Sequence, residues 1–317
     1  MTVRVYRSTD GSAPVLNGTA GSLVALLYAC LVTGYGAATA AGWAREFTAT
    51  NKAVFRAATG NRFRLRVDDT GTQEARAVAY ETMSDVDTGV NAFPTSGQVS
   101  GGLFIRKSNT ADATSRPWVL IATGTAFYFL PHSLSGDWLT PLSNDYTYLS
   151  GQFFFGDFTS YKSGDAYNTA IIGAEATGTS VGRLGSCLGQ SSSAGVSIGH
   201  YIARQYYQSG NSLAFGLYPA MSYYGPGTIG SGGGNYPDPI SGAMHLSPLY
   251  VIESGPGNFG YVRGVMPGMW MPCHNLPGQH ADQVSGSGES SGKTFLLANV
   301  SNAGALGRAA FEISDTW

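Results

Sequence analysis

Charge is scarce in this sequence. Lys, Arg, Asp and Glu make up 12% of the 317 residues, whereas an ordinary soluble domain has about a quarter. The formal net charge is −2, and no run of Lys or Arg stands out. A nucleic-acid-binding surface depends on a cluster of basic residues that contacts phosphates. The sequence therefore predicts no direct nucleic-acid binding.

Long apolar segments are lacking as well. The longest, residues 23–32, has about half the length that a transmembrane helix needs. Residues 1–6 alternate like a β-strand and do not resemble a signal peptide. We therefore expect no membrane partner, and we expect the chain to fold in a cytoplasm.

Cysteine is rare. The three cysteines, Cys30, Cys187 and Cys273, are widely spaced and odd in number. Small secreted domains instead have an even set of closely spaced cysteines, so the pattern does not indicate a disulfide framework. Each cysteine is interpreted as a small buried side chain.

Glycine and apolar residues are abundant. Glycine accounts for 44 of the 317 residues, roughly twice its ordinary share. Hydrophobic residues make up 43% and aromatic residues 12%, which is enough to form a core. A surface that is poor in charge and rich in Ser, Thr, Asn, Gly and Tyr resembles protein interfaces. The composition favours an assembly component.

One segment is predicted to be helical. Residues 22–32 are apolar on every side; Ser22 can serve as the N-cap, and Gly34 or Gly36 can end the helix in left-handed geometry. A helix that is apolar all round has to be buried.

The remaining regular structure is predicted to be β-strand, because alternating or apolar runs are separated by turn residues. Residues 118–122 and 125–130, joined by Thr123 and Gly124, form the clearest hairpin. The other predicted strands are residues 53–56, 63–67, 75–80, 102–107, 152–158, 170–172, 249–252, 261–264, 294–300 and 308–313.

These elements define the predicted fold class: mainly β (α+β), with antiparallel sheets, one buried N-terminal helix and long Gly/Ser/Pro-rich loops. Residues 225–239 are the clearest of these loops, since they have no hydrophobic periodicity. The helix and first strands suggest a small α+β domain over residues 1–95, followed by a larger β-rich domain over residues 96–317.

Three arginines, Arg62, Arg64 and Arg66, share one face of a predicted strand. They could contact phosphates or form a solvated strand face. The second interpretation is favoured because acidic residues such as Asp68 and Asp69 follow closely and can offset the charge.

Phosphate-binding motifs are matched only in part. Residues 225–230 and 255–260 fit GxGxxG, but neither opens a helix that could bind a pyrophosphate, so both are interpreted as turns. Residues 290–294 resemble the end of a phosphate-binding loop, but Ser287 stands where that loop requires glycine, and a strand follows. No cofactor is predicted.

A serine hydrolase is one enzymatic alternative. Residues 178–182 and 288–292 fit GxSxG, and Ser180 could be paired with His200 and Asp238. Such matches are expected by chance in a chain this rich in Gly and Ser, and no strand-turn-helix pattern flanks either of them.

Metal and carboxylate sites give weak signals. Cys273, His274 and His280 lie within one short segment, but zinc sites usually pair close ligands twice, so a structural loop is favoured. The sequence therefore predicts no catalytic, cofactor-binding or metal-binding residues. A glycosidase carboxylate pair cannot be assigned among acids that lack a distinguishing context, such as Asp157, Asp165 and Glu175.

Several phrases of the sequence resemble a family of virion structural proteins from tailed bacteriophages. The resemblance covers most of the chain and implies membership of the virion, without implying a catalytic residue. It rests on residues 12–23, 30–36, 42–43, 51–54, 80–89, 155–157, 163–167, 263–270 and 314–317.

Together these observations predict a non-enzymatic, oligomeric virion protein, most simply in the tail apparatus (tail tip, collar or baseplate), with capsid decoration as the alternative. Its expected partners are further copies of itself and other virion proteins. A carbohydrate-active enzyme or serine hydrolase acting on the host surface is the alternative of another class. Trp317 is either a core plug or an anchor in a neighbour. Candidate platforms for a host-surface glycan are Tyr206, Tyr207, Tyr223 and Tyr224.

Overall fold

The computed structural model describes residues 2–132, 152–175, 198–207, 210, 213–219, 237–254, 260–274, 281–299, 308–314 and 317. Strands account for 48% and helical residues for 7%, and the sheets are antiparallel. This confirms the predicted fold class. No helix within the described ranges is long and apolar enough to cross a membrane.

The helix α1 is Ser22–Tyr28, and a π-helical turn, Ala29–Thr33, continues it. The first nine strands are β1 (Arg4–Arg7), β2 (Ala44–Ala49), β3 (Lys52–Arg56), β4 (Arg64–Asp68), β5 (Glu74–Met83), β6 (Gly89–Phe93), β7 (Leu103–Arg106), β8 (Trp118–Ala122) and β9 (Ala126–Pro131). The later strands are β10 (Phe153–Asp157), β11 (Thr159–Ser160), β12 (Thr169–Ala174), β13 (Ile198–Ile202), β14 (Leu213–Pro219), β15 (Leu246–Ser254), β16 (Gly260–Pro272), β17 (Gln283–Ser285), β18 (Thr294–Asn299) and β19 (Arg308–Glu312).

A central antiparallel sheet organises the molecule. Along one direction β1 pairs with β8, β8 with β9, β9 with β10 and β10 with β12. Both β13 and β7 pair with β12; β7 continues to β5, which leads through β4 and β3 to β2. The predicted hairpin is β8 with β9, in which Leu120 lies opposite Phe129. The sheet includes a curled half-barrel.

The middle strands of this sheet are buried on both faces. Phe127 and Phe129 of β9 belong to one core, whereas Tyr128 and Leu130 belong to another. Because successive side chains of a strand point to opposite faces, a strand between two cores has to be apolar throughout. This explains why the predicted hairpin has continuous apolar runs.

Helix α1 covers the first core with Leu23, Leu26 and Leu27. Its N-cap is Gly21, which has a left-handed φ of 85°, so the predicted Ser22 cap is wrong. The Ser22 hydroxyl instead donates to the Asn17 carbonyl at 2.9 Å.

The helical segment ends before Gly34, as predicted; the φ of Gly34 is positive, at 79°, but its ψ of 171° lies outside the left-handed helical geometry that was expected. The prediction that the helix is buried on every side is too strong. Ala25 is exposed, so the helix is buried along one side and not all round.

A second sheet packs on the other core. It runs from β14 through β15, β16, β19 and β18 to β17, and β11 adds to β16. Its inner face contributes residues such as Leu249, Met269 and Phe311 to the second core. The molecule is therefore layered as helix, central sheet and second sheet.

Strand pairing crosses residue 95, where a domain boundary was predicted. Ala77 of β5 lies opposite Leu103 of β7, and β1 pairs with β8. The first core likewise joins Leu65 to Phe153. Residues 1–95 thus share a sheet and a core with later residues, and the division into domains stays a prediction.

Candidate functional site

An exposed group of aromatic rings lies where the segment after β13 meets the start of β16. The ring centroids of Tyr206 and Tyr207 are 5.0 Å apart, and those of Tyr206 and Tyr261 are 5.4 Å apart. Exposure is 38% for Tyr206, 47% for Tyr207 and 38% for Tyr261. We call these three residues the tyrosine cluster.

Backbone pairing positions the cluster. Tyr261 lies at the start of β16, opposite Glu253 of β15. The carboxylate of Glu253 also accepts a hydrogen bond from the backbone N–H of Tyr206, at 2.9 Å. One buried acid therefore connects the segment after β13 to the strand pair that presents Tyr261.

A buried arginine connects the segments that carry the tyrosine cluster. The Arg263 guanidinium donates from Nε and Nη2 to the two carboxylate oxygens of Asp165, each at 2.9 Å. Its Nη1 donates to Glu253 at 2.9 Å and to the backbone carbonyl of Arg204. The side chains of all three charged partners are 1% exposed. A single guanidinium thus joins β15, β16, the loop after β11 and the segment after β13.

The charge state of Asp165 follows from these contacts. Burial raises the pKa of this carboxyl, but hydrogen bonds from Arg263 and Ser160 outweigh the burial and hold the pKa below its ordinary value. Asp165 is therefore ionised at neutral pH, and the bidentate bond to Arg263 keeps its full strength. We call Arg263, Asp165 and Glu253 the arginine clamp.

A second ion pair lies beside the clamp. Arg204 donates to both oxygens of Glu81, at 2.6 and 2.7 Å, and its guanidinium lies 4.4 Å from the centroid of the Tyr167 ring. The segment that leads to Tyr206 is thus fixed to the central sheet as well. The tyrosine cluster is preorganised on both sides.

The structure brings together two of the four tyrosines that the sequence singled out. Tyr206 and Tyr207 are in the cluster, whereas Tyr223 and Tyr224 lie outside the described residues. Tyr261 was missed, since a single tyrosine at the start of a strand gives no signal of its own. Only the pairing of β15 with β16 shows that it joins the others.

Two of the residues predicted for a serine hydrolase, His200 and Asp238, make local contacts. His200 is buried and packs edge-on against Phe215, with ring centroids 5.4 Å apart. Asp238 lies in a turn, where it accepts hydrogen bonds from the backbone and the hydroxyl of Ser241 at 2.7 and 2.8 Å. Ser180 lies outside the described residues, so the predicted triad stays untested.

The second GxSxG segment forms a short 3-10 turn, Gly288–Ser290. The Ser290 hydroxyl donates to the Ser287 carbonyl at 3.0 Å. Lys293 follows and leads directly into β18, as predicted, and its ammonium pairs with Glu312 at 2.9 Å. Of the GxGxxG segments, residues 225–230 and 255–259 lie outside the described residues.

Only some of the cysteines and histidines that were considered as metal ligands lie within the described residues. Cys30 is buried, as predicted, and burial raises the pKa of its thiol. Cys273 is only half-buried, so its interpretation as a buried side chain is too strong. Nε2 of His274 accepts the backbone N–H of His245 at 2.9 Å. Among the described residues no three His, Cys, Asp or Glu side chains could hold a metal ion. Cys187 and His280 lie outside those residues.

The acids that lacked a sequence context also have local partners. Asp157 accepts the backbone N–H of Asn61 at 2.8 Å, and burial raises the pKa of its carboxyl. Glu175 accepts the hydroxyl of Tyr201, and Asp165 belongs to the arginine clamp.

Two of the three arginines that were predicted to share a strand face form ion pairs within the chain. Arg64 pairs with Glu46 at 3.0 Å, and Arg66 pairs with Asp68 at 3.0 Å and with Asp87 at 2.5 Å. Arg62 precedes β4 and does not belong to the strand. The contacts favour the interpretation as a solvated, ion-paired face.

No model of a known protein family matches this chain, and no curated protein is similar to it at a significant level.

Proposed function

We propose that this protein is a non-enzymatic structural component of a tailed-phage particle, which folds in the host cytoplasm and assembles with further copies and other virion proteins. Its place would be the tail apparatus, meaning tail tip, collar or baseplate; capsid decoration is the alternative. The resemblance of its sequence phrases and its charge-poor composition support this role.

The observation that carries the assembly role is the rigidly supported tyrosine cluster. Protein interfaces are enriched in Tyr and depleted in Lys and Glu, and a side chain that is already ordered loses little entropy on binding. The cluster meets both conditions, since ring contacts and the arginine clamp fix Tyr206 and Tyr261. We assign this surface to contact with another copy of the chain.

The first experiment locates the protein. Cryo-electron microscopy of the intact particle, with this chain traced in the density, should find it on the tail or neck. Copies spread over the capsid lattice would establish the decoration alternative. Absence from the particle would overturn the proposal and reopen the enzymatic alternative, which Ser180→Ala and His200→Ala then test by loss of any hydrolytic activity.

The second experiment tests the cluster. Light scattering coupled to size-exclusion chromatography should show an oligomer for the natural protein and a smaller species for Tyr206→Ser combined with Tyr261→Ser. Val90→Ser is the matched control, because Val90 of β6 is 58% exposed and lies outside the cluster. A double variant that assembles like the natural protein would show that the cluster is not the self-contact.

A further inference from the structure

A cleft of about 740 Å³ opens on the outer face of the second sheet. Ligand pockets typically have volumes of about 300–1,000 Å³, so the cleft is large enough for a small molecule. Its floor is formed by one residue from each of three strands: Leu246 of β15, Trp270 of β16 and Phe295 of β18. Their neighbours Met269 and Leu296 point into the second core.

The floor is apolar although it faces away from the central sheet. Phe295 is 1% exposed and Met244, from the segment before β15, is 3% exposed. Met244 and Phe295 form a third, small core with Leu297 and Ala310, and the half-buried Trp270 packs against it. An outer sheet face in contact with water alone would be polar. Packing in this small core explains the buried part of the floor, whereas Leu246 and Trp270 are half-buried and leave apolar surface open to the cleft.

Polar groups form the rim. Lys293 lies 5.7 Å from the centroid of the Trp270 ring and is paired with Glu312 at 2.9 Å. Glu289 is exposed and forms no ion pair with any described residue. The Ser241 hydroxyl and the His245 imidazole, 3.2 Å apart, line the opposite side. The rim thus offers both hydrogen-bond donors and acceptors.

The two rim segments are held in place without a ligand. The backbone of His245 donates to Nε2 of His274 at 2.9 Å and accepts the N–H of Cys273 at 3.0 Å. Gly288 has a left-handed φ of 65°, and a Cβ added there would lie 2.5 Å from the Cβ of Ala243. Because the segments touch at a position that admits only glycine, the cleft is preformed.

The chemistry of the lining selects a class of ligand. Among the described lining residues Lys293 is the one permanent cation, and Glu312 already neutralises it. Glu289 adds a negative charge, so a phosphate or nucleotide would meet no net attraction. A ring with an apolar face and many hydroxyls matches an aromatic floor beneath mixed donors and acceptors.

We propose that this cleft binds a neutral saccharide. The inference rests on the proposed function in one respect, the source of the sugar, which would be a glycan of the host surface. Trp270 would contact the apolar face of the sugar ring, and Glu289 would accept hydrogen bonds from its hydroxyls.

The test uses the purified full chain and three probes, maltotriose, chitotriose and lactose, with adenosine as a probe of another class. Saturation-transfer NMR should detect at least one saccharide, and calorimetry should give its affinity. Glu289→Ala should weaken that affinity by about tenfold, the effect of losing one hydrogen bond to a charged group. Trp270→Phe should weaken it too, while retaining the apolar floor.

Asp85→Asn is the control, because it removes one exposed charge from the β5–β6 turn and should leave binding unchanged. Thermal melting confirms that each variant is folded. The inference is overturned if no saccharide binds, if adenosine binds more tightly than all three, or if the cleft variants bind like the natural protein. Failure of binding by a protein that is present in the particle would contradict this inference alone. Binding by a protein that is absent from the particle would contradict the proposed function alone.

Discussion

Arg263 and Asp165 face each other through two parallel hydrogen bonds of 2.9 Å, and both side chains are 1% exposed. The geometry is the bidentate fork that makes arginine the preferred partner of a buried carboxylate. Glu253 adds a second carboxylate to the same guanidinium at 2.9 Å. The loop after β11, strands β15 and β16 and the segment after β13 therefore depend on one positive charge.

Removing that charge should be strongly destabilising. Arg263→Met keeps much of the side-chain volume but leaves Asp165 and Glu253 buried without their partner. We expect the free energy of unfolding to fall by about 3–5 kcal/mol, the usual loss when one partner of a buried pair is removed. Urea denaturation measures it.

Lys52→Met is the matched control for Arg263→Met. Lys52 pairs with Asp87 at 3.2 Å, but these side chains are 24% and 53% exposed. Such a pair contributes less than about 1 kcal/mol. Equal losses for the two variants would show that the arginine clamp does not support the fold.

A second buried pair fixes the start of the helix. The Lys107 ammonium pairs with Asp69, and both side chains are 0% exposed. The other oxygen of Asp69 accepts the backbone N–H of Leu23 at 2.7 Å. Burial raises the pKa of Asp69, although Lys107 and the helix N–H groups oppose the rise. Without Lys107 the carboxyl would lose its main source of charge stabilisation.

Lys107→Met should therefore lower the free energy of unfolding by about 3 kcal/mol and speed hydrogen exchange in the first turn of α1. Adding Asp69→Asn should recover part of the loss, because the neutral amide oxygen still accepts the Leu23 N–H and no charge stays buried. Denaturation of the single and double variants measures the coupling. Strictly additive losses would contradict an interaction between the two residues.

Local sequence patterns were sufficient for most of the elements. The β8–β9 hairpin follows from two apolar runs around Thr123 and Gly124, and the helical segment from an apolar run that ends at Gly34. These signals depend on neighbours along the chain, which is why the fold class could be predicted. The N-cap could not, because the partner of the helix N–H groups is Asp69, a residue far away in sequence.

The candidate site depended on contacts that no local pattern contains. Tyr206 and Tyr207 stand out as a pair, but Tyr261 joins them only through the pairing of β15 with β16. The arginine clamp is hidden for the same reason, since Arg263 and Asp165 lie 98 positions apart. Single-sequence reasoning identifies such residue types but not their partners.

The pH dependence of stability provides a further prediction. Burial, together with the nearby His245, holds the pKa of His274 below its ordinary value, and its Nε2 accepts a backbone N–H. The folded state therefore prefers the neutral ring. The contribution of His274 is fully present above the unfolded-state pKa of about 6.5 and is lost as the pH falls from there through the lowered folded-state pKa.

His274→Gln should flatten this part of the profile, because glutamine still offers an acceptor oxygen but does not titrate. Unfolding free energies at several pH values between about 7.5 and 5 are compared for the variant and the natural protein. His245→Gln should flatten the profile less, since burial is the larger cause of the lowered pKa of His274 and the His245 ring only adds to it. An identical slope in His274→Gln would show that His274 does not contribute.

The final prediction concerns Trp317, which is half-buried and packs against the second core. Its indole N–H donates to the Glu312 carbonyl at 2.8 Å, and its ring centroid is 5.7 Å from that of Tyr128. These contacts favour the core plug over an anchor in a neighbour. Gly268, with a φ of 61°, leaves room for the indole: a Cβ there would lie 2.3 Å from its Nε1.

Gly268→Ala should therefore lower the free energy of unfolding by more than left-handed backbone strain alone would. Gly292→Ala is the matched control, because Gly292 has a φ of 85° and a Cβ there would meet nothing within 4 Å. We expect a loss of about 1 kcal/mol for the control and about 2 kcal/mol or more for Gly268→Ala, which also displaces the indole. Trp317→Ala should remove that excess, since the added methyl group then has space. Equal losses for the two glycine variants would contradict packing of Trp317 against Gly268.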